Sequence, residues 1–188
     1  MVLAFIARHS IRALGRFELC RSEMKSKRKQ LNRALLDAVV MRDVDHVRKL
    51  LGRGADVNAR DREHDETPII LATKFADASM IRLLLDAGAK VNERDDKGRT
   101  ALFYTPVSSE AFKALLEAGA DVHVRDKEGD TILMRSISES ASLVEVEELL
   151  RLGIGPGVLN DAGETALDVA DSLGLVLVVE RLKSSTAV

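Results

Sequence analysis

The sequence predicts an all-α solenoid of about five stacked helix-turn-helix units, and three observations lead to this fold class. A motif that begins with Thr recurs about every 33 residues, and a motif of two Leu followed by Gly keeps the same register. Only 3% of the 188 residues are aromatic and Trp is absent, so Leu, Val and Ala must do most of the packing. The chain is long enough for one short repeat array.

The first motif marks the start of a helix in each unit. Thr can cap a helix N-terminus, and Pro68 suits the first helical position, where its missing N–H costs nothing. Successive copies are separated by 33, 31 and 34 residues. The copies are TPIILATKF from Thr67, TALFYTPVS from Thr100, TILMRSISE from Thr131 and TALDVADSL from Thr165.

The second motif marks the end of a second helix. In residues 79–87 the apolar side chains have helical spacing, and Gly88 is predicted to be a left-handed C-cap. The residues after this glycine are extended and turn-like, and they form what we call a finger. One unit cannot bury its apolar helix faces alone, so the units must stack. The copies are LLGRGADVN from Leu50, LLDAGAKVN from Leu84, LLEAGADVH from Leu115 and LLRLGIGPG from Leu149.

Together these motifs resemble the ankyrin repeat, with its T-P-L-x-x-A-like helix start and LLxxGADVN-like end. The resemblance covers residues 31–183 and implies β-hairpin or loop fingers along one edge and inner helices that line a concave groove. It also implies protein binding. The units are assigned to residues 31–61, 62–95, 96–126, 127–160 and 161–183, after a basic segment of residues 1–30 and before a tail of residues 184–188.

Departures from the family pattern mark the irregular places. The family's His after the helix start is replaced in every unit, mostly by apolar residues, which predicts apolar contact instead of hydrogen bonds; the replacements are Ile70, Phe103, Met134 and Asp168. The loop RDREHDET before Thr67 has no Gly at its tip, so its turn is expected to differ from those at Gly98 and Gly129. Pro156, between two glycines, predicts a less regular hairpin.

The third unit lacks two residues. Its Thr and Gly are 19 positions apart, against 21 in the second unit. Pro106 disfavours helical geometry at the preceding residue, so the first helix should end near Tyr104 and the second should begin at Ser108 or Ser109. The deletion predicts a notch in the concave wall beside Phe75.

The sequence contains no recognisable catalytic constellation. The four His and the single Cys20 have no metal-ligand spacing, and no Gly-rich phosphate loop precedes a helix. Acidic pairs such as Asp95-Asp96 are interpreted as solvated charge. We therefore expect no enzyme activity, no cofactor and no metal ion. A single cysteine cannot form an intrachain disulfide, which favours a reducing, cytoplasmic location.

The resemblance implies where a partner would bind, because partners of such arrays usually contact the finger tips and the exposed face of the inner helices. An exposed aromatic side chain in a groove is a typical anchor, and Phe75 occupies a position that is usually polar. It could equally pack against the shortened third unit. The predicted contact residues at the tips are Arg62, Glu63, Glu66, Asp96, Lys97, Arg99, Lys127, Glu128 and Asp130, and those on the inner helices are Lys74, Phe75, Val107, Ser138 and Glu139.

The two ends leave alternatives open. Residues 1–30 carry a net charge of +6 and the rest −8, so no nucleic acid partner is expected for the body of the protein. The basic segment could pack on the first unit, remain mobile, contact a membrane through residues 1–29, or serve as a targeting leader. At the other end, Leu175 and Leu177 are expected to be buried, with a self-association patch as the alternative. We expect a monomer.

The function predicted from the sequence is a non-catalytic scaffold that binds another protein through its concave face and its fingers. The alternative is a membrane-associated or targeted adaptor that uses the basic segment. The sequence does not identify the partner.

Overall fold

The structure is a computed structural model that describes residues 23–75, 77–140 and 142–185, and in these residues it is all-α. An isolated antiparallel bridge between Arg125 and Thr131 is the nearest feature to a strand among them. Residues 23–40 are helical and form α1. The helices that follow are α2 (Val44–Gly52), α3 (Pro68–Thr73), α4 (Ala78–Asp86), the 3-10 helix η1 (Ala101–Tyr104), α5 (Glu110–Glu117), α6 (Ile132–Glu139), α7 (Leu143–Arg151), α8 (Ala166–Ser172) and α9 (Val176–Ser185).

The helices are stacked in two layers. The first helices of successive pairs contact one another in the order α3, η1, α6 and α8, while α4 packs on α5 and α7 packs on α9 in the second layer. Within a pair the two helices are antiparallel neighbours joined by a short turn. This arrangement confirms the predicted helical solenoid, and it places all the fingers on one side of the stack. No helix in the described part of the chain is both long enough and apolar enough to cross a bilayer.

The core runs along the stack between the two layers. Three residues that replace the family's His are buried in it: Ile70, Phe103 and Met134. Burying such a side chain stabilises the fold by about 1.5–3 kcal/mol, so apolar contact does replace the hydrogen bonds, as predicted. The fourth, Asp168, is exposed and completes a capping box with Thr165 at the start of α8.

The helix caps follow the sequence prediction with two exceptions. Gly54, Gly88, Gly119, Gly153 and Gly174 all have positive φ values at helix ends, and Thr131 caps α6 with its hydroxyl. Thr67 and Thr100 occupy the N-cap positions, but their buried hydroxyls have no hydrogen-bond partner in the described residues. The expected side-chain caps at Thr67 and Thr100 are therefore wrong.

The shortened third unit behaves as its sequence predicts. η1 is a single 3-10 turn that ends at Tyr104, and Thr105 is extended (φ −107°, ψ 126°), as the following Pro106 requires. Ser109, rather than Ser108, caps α5 by accepting a hydrogen bond from the Phe112 N–H at 3.1 Å. The deletion has therefore converted an α-helix into one tight turn.

The sequence marks two other irregular places. The turn around Pro156 falls at the same position as in the neighbouring units, so the residues that replace the family pattern there do not displace the turn. Proline fits this turn because its fixed φ suits the first central position. In the loop before Thr67 the tip is one residue longer and does differ, but Asp65 (φ +55°) takes the left-handed position that Gly98 (φ +77°) holds in the next finger.

The C-terminal helix leaves part of its surface uncovered. Val178, Val179 and Leu182 are buried, as predicted. Leu175 is half-buried, whereas Leu177 is 66% exposed, so its expected burial is wrong. Both the last three residues of the tail and residues 1–22 of the basic segment lie outside the described residues.

Candidate partner-binding surface

The candidate surface is carried by four fingers of similar construction: residues 61–66, 95–99, 126–130 and 160–164. In each finger the side chain of the first residue closes the turn. Asp95 Oδ1 accepts hydrogen bonds from the backbone N–H groups of Lys97 and Arg99, both at 2.9 Å. Asp61, Asp126 and Asn160 do the same in their fingers. Asp95 is therefore buried and structural, and its interpretation as solvated charge is wrong; Asp96 is exposed.

Hydrogen bonds between neighbouring fingers hold them in register. The backbone N–H of Asp96 donates to the His64 carbonyl, and that of Lys127 donates to the Lys97 carbonyl, both at 2.9 Å. Arginines add a second row, since Arg94 donates to the Arg125 carbonyl at 3.0 Å. Arg60 and Arg125 make the equivalent bonds. The fingers therefore form one ordered edge, and their tips are positioned before any partner arrives.

A third row of hydrogen bonds runs between the loops that follow the second helices. Asn58 accepts from the Lys90 N–H at 2.8 Å, and Asn92 accepts from the Asp121 N–H at 2.9 Å. Asn92 also donates to the Gly119 carbonyl at 3.1 Å. His123 takes the third position and makes no such bond in the described residues, so the row ends at the third unit.

Three of the predicted contact residues are buried rather than exposed. Arg99 is 6% exposed; its Nε lies 2.9 Å from Asp126 Oδ2, and Nη2 lies 3.2 Å from Glu128. Glu66 is buried beside Lys74, with Nζ 2.7 Å from its carboxylate. Val107 is buried in the wall of a cavity. Their assignment as exposed contacts is wrong. In the two finger residues the cause is shared, because the side chain after the left-handed residue points back into the stack.

Tyr104 connects the finger row to the inner helices. Its hydroxyl donates to Asp95 Oδ2 at 2.5 Å, and Lys74 Nζ lies 6.0 Å from the centre of its ring. Burial and the Asp95 carboxylate raise the pKa of Tyr104, so the phenol stays protonated and remains a donor. Lys74 is thus fixed between the buried Glu66 and this ring, and it faces solvent with a defined orientation.

The other predicted contact residues do lie at the surface. Phe75 is 41% exposed and follows Lys74, the C-cap residue of α3. Asp130 is half-buried and accepts a hydrogen bond from Asn160 Nδ2 at 2.9 Å. The exposed residues at the finger tips are Arg62, Glu63, Asp96, Lys97, Lys127 and Glu128, and those on the inner helices are Lys74, Ser138 and Glu139.

A notch is present at the shortened unit, but the prediction that it lies beside Phe75 is wrong. A cavity of about 150 Å³ separates the η1–α5 connection from the α6–α7 connection. Phe75 does not line it, so the deletion opens space toward the fourth unit rather than the second. We keep the name notch for this cavity, which is lined by Leu102, Phe103, Tyr104, Thr105, Pro106, Val107, Ile132, Arg135, Ser136, Glu139, Ser140 and Glu145.

A second, larger concavity of about 890 Å³ lies between α1 and the first finger. It is mainly basic, and Lys25, Arg28, Lys29 and Arg33 follow one another along α1 at helical spacing. The acidic residues Asp37, Asp61 and Glu63 lie in the same wall. The basic side of this surface could be predicted from the sequence, since the cations on α1 recur at helical spacing. The contribution of Arg60 and Arg62 could not, because only the fold of the first unit brings them next to α1.

Three carboxylates of the third finger lie close enough to suggest a cation site. One oxygen from each of Asp126, Glu128 and Asp130 falls within 4.8 Å of the others. Arg99 already pairs with the first two, and Asn160 donates to the third. The three carboxylates therefore lie close together because Arg99 and Asn160 bind them, and no metal ion is needed to account for the cluster.

The comparisons with known proteins agree with the architecture. Residues 35–126 match the protein-family model of ankyrin repeats in three copies. None of the curated proteins matches the chain.

Proposed function

Since the chain is an ankyrin-repeat protein, we propose that it is a non-catalytic scaffold that binds another protein through its finger tips and its concave inner-helix face. Ankyrin repeats are generally protein-protein interaction modules. We propose five units with the bounds given above. The first helix of the first unit is α1, which is already helical at residue 23, before the proposed start of the unit at residue 31.

The exposed ring of Phe75 carries this proposal. An aromatic side chain contributes a large contact area with few rotatable bonds, and such residues dominate the binding energy of many interfaces. Its neighbour Lys74 is held by an ion pair and by an aromatic ring. Together they present an apolar group beside an oriented cation, which costs little conformational entropy on binding.

The test begins with proximity labelling in the native host and then measures the purified partner by isothermal titration calorimetry. Truncating an interface anchor typically costs about 2 kcal/mol, so Phe75→Ala should weaken binding by roughly 30-fold. Val144→Ala is the matched control, because Val144 is an exposed apolar residue on the second-layer helix α7. Equal affinities of the two variants would refute the role of Phe75.

The finger tips are tested separately by charge reversal. Lys97→Glu changes an exposed tip residue and leaves the buried Arg99 pair intact. Charges at an interface rim mainly set the association rate, so this variant should slow association in surface plasmon resonance. An unchanged rate at low salt would remove the tips from the proposed interface.

The membrane-associated alternative rests on the basic segment. Lys25, Lys27, Arg28 and Lys29 are all exposed on α1, and each basic residue near an anionic bilayer contributes about 1 kcal/mol of attraction. Co-sedimentation with phosphatidylserine vesicles tests it, with the three lysines changed to Glu as the comparison. If the full chain and this variant both stay in the supernatant, the alternative is wrong. We retain the cytoplasmic location as part of the proposal, because the chain has a single cysteine.

A further inference from the structure

We propose that the notch is a pocket for one lysine side chain of the partner protein. This inference deepens the proposed function, since it names the chemistry of a group that the concave face receives. One of the lining residues, Glu139, belongs to the predicted contact set and is exposed in the structure. The pocket therefore adjoins the surface that the scaffold would use.

The size and the walls of the notch suit a long aliphatic stem. Its volume of about 150 Å³ holds a single side chain or a small organic molecule. Leu102, Val107 and Ile132 supply apolar wall on both sides of the junction between units. A lysine has a flexible stem of four carbons that packs on apolar surface while its charged end reaches a polar group.

The polar end of the notch is rich in acceptors. Glu145 Oε2 accepts hydrogen bonds from Ser136 Oγ at 3.1 Å and from Ser140 Oγ at 2.6 Å. The other oxygen of Glu145 has no cation beside it in the described part of the chain. Two serine hydroxyls thus fix a carboxylate in the first turn of α7 that has no cationic side chain paired with it among the described residues, and a ligand cation would complete it.

The net charge of the lining also favours a cation. Arg135 Nη2 is paired with Glu139 in the next turn of α6, so these two charges cancel, while the buried Nε of Arg135 has no hydrogen-bond partner among the described residues. Glu145 remains and makes the lining negative. A carboxylate or phosphate group would therefore be repelled, whereas an ammonium group would be attracted.

The geometry favours lysine over arginine. A guanidinium is best received by both oxygens of one carboxylate, but Oε2 of Glu145 already accepts two hydrogen bonds. One oxygen is left, and it suits a compact ammonium. The serine oxygens can accept further hydrogen bonds from the same group.

The experiment is a two-dimensional NMR titration of the full chain with N-acetyl-lysine methylamide as the probe. A fragment of this size is expected to bind with a Kd on the order of millimolar. The amide signals of Val107, Ser136 and Ser140 should shift. The matched ligand is N-acetyl-norleucine methylamide, which keeps the stem and lacks the charge, and it should bind roughly tenfold more weakly.

Glu145→Gln tests the acceptor. It keeps the size of the side chain and an oxygen for the serine hydroxyls, so the fold should persist in a thermal melt. It should abolish the preference for lysine over norleucine. Glu117→Gln is the control, because Glu117 is exposed at the end of α5 and does not line the notch; it makes the same charge change and should preserve the preference. Equal binding of the two ligands to the native chain, or an unchanged preference in Glu145→Gln, would overturn the inference.

The outcomes separate this inference from the proposed function. If the lysine probe binds the notch with the stated preference while Phe75→Ala leaves the partner's affinity unchanged, the anchor is wrong and the pocket stands. If Phe75→Ala weakens the partner but the probe fails, the scaffold stands and the lysine pocket is wrong. The probe is a small molecule, so its result needs no knowledge of the partner.

Discussion

The replacement of Arg99 by Met tests the stacked fingers directly. Met keeps most of the length of the aliphatic stem and removes the guanidinium. Asp126 then loses a cation whose Nε and Nη2 lie 2.9 and 2.8 Å from its Oδ2. The carboxylate of Asp126 is 0% exposed, so water cannot replace the lost partner without a local rearrangement.

The expected cost follows from this burial. Breaking a buried ion pair by removing one partner typically costs about 3–5 kcal/mol, because a charge is left uncompensated. Oδ1 of Asp126 keeps two backbone N–H donors at 3.0 Å. The expected loss in the free energy of unfolding is therefore near the lower end of this range, at about 3 kcal/mol. With a urea m-value of about 2 kcal/mol per molar, the midpoint of unfolding should fall by roughly 1.5 M.

Urea titration followed by far-UV circular dichroism measures this shift. Arg82→Met is the matched control, since Arg82 pairs with Glu110 at 3.5 Å and both side chains are more than half exposed. Such a pair contributes at most about 1 kcal/mol. If Arg99→Met costs no more than the control at an unchanged m-value, the buried pair is not what stabilises the junction. A second variant that adds Asp126→Asn should recover part of the loss, because the unpaired charge is then gone.

Three further variants test the geometry of the turns and caps. Gly129→Ala would place a Cβ 2.6 Å from Asp161 Oδ1 and 2.9 Å from the backbone N of Asp161. Gly163 has nearly the same positive φ, but a Cβ there would meet open space. Thermal melts should therefore show a loss of stability of about 1 kcal/mol for Gly163→Ala and clearly more for Gly129→Ala. Asn92→Ala removes two hydrogen bonds between units and should cost about 1–2 kcal/mol in urea titration, and a cost near zero would mean that water replaces both. Hydrogen bonds from a serine hydroxyl and the backbone hold the pKa of Asp77 below its ordinary value of 3.8. The contribution of Asp77 to the free energy of unfolding is therefore complete above pH 3.8, and it is lost as the pH falls through the lower pKa of the folded state. Asp77→Ser keeps a cap that does not titrate, and a pH series of melts should be flatter below about pH 4; an unchanged acid limb would contradict this.

The fold was predictable because its determinants are local and repeated. The Thr and Gly positions recur at one period, and each keeps its physical role wherever it occurs. Pro106 is the clearest case, since one residue predicted both the extended conformation of Thr105 and the early end of η1. Such effects act within a few bonds, so a single sequence is enough to read them.

The candidate surface was less predictable because its side chains are positioned by neighbours about thirty residues away. Arg99 looks like a typical loop cation, yet its partner Asp126 belongs to the next finger, 27 residues later. Fingers have no helical or strand period that would separate an inward from an outward side chain. The deletion predicted that a notch would form, but not on which side of the third unit. That side depends on whether the short η1 leaves space next to α3 or next to α6, which the local sequence does not specify.

The junction between the third and fourth units combines two features that weaken it. The row of asparagine hydrogen bonds stops at His123, and the notch removes packing on the opposite side of the same junction. In a linear array each unit is stabilised chiefly by its neighbours, so we expect the stack to separate at this junction into two blocks before the rest of it unfolds. A ligand that fills the notch would join the blocks and raise the free energy needed to separate them. The deletion thereby couples occupancy by a partner to the rigidity of the C-terminal half.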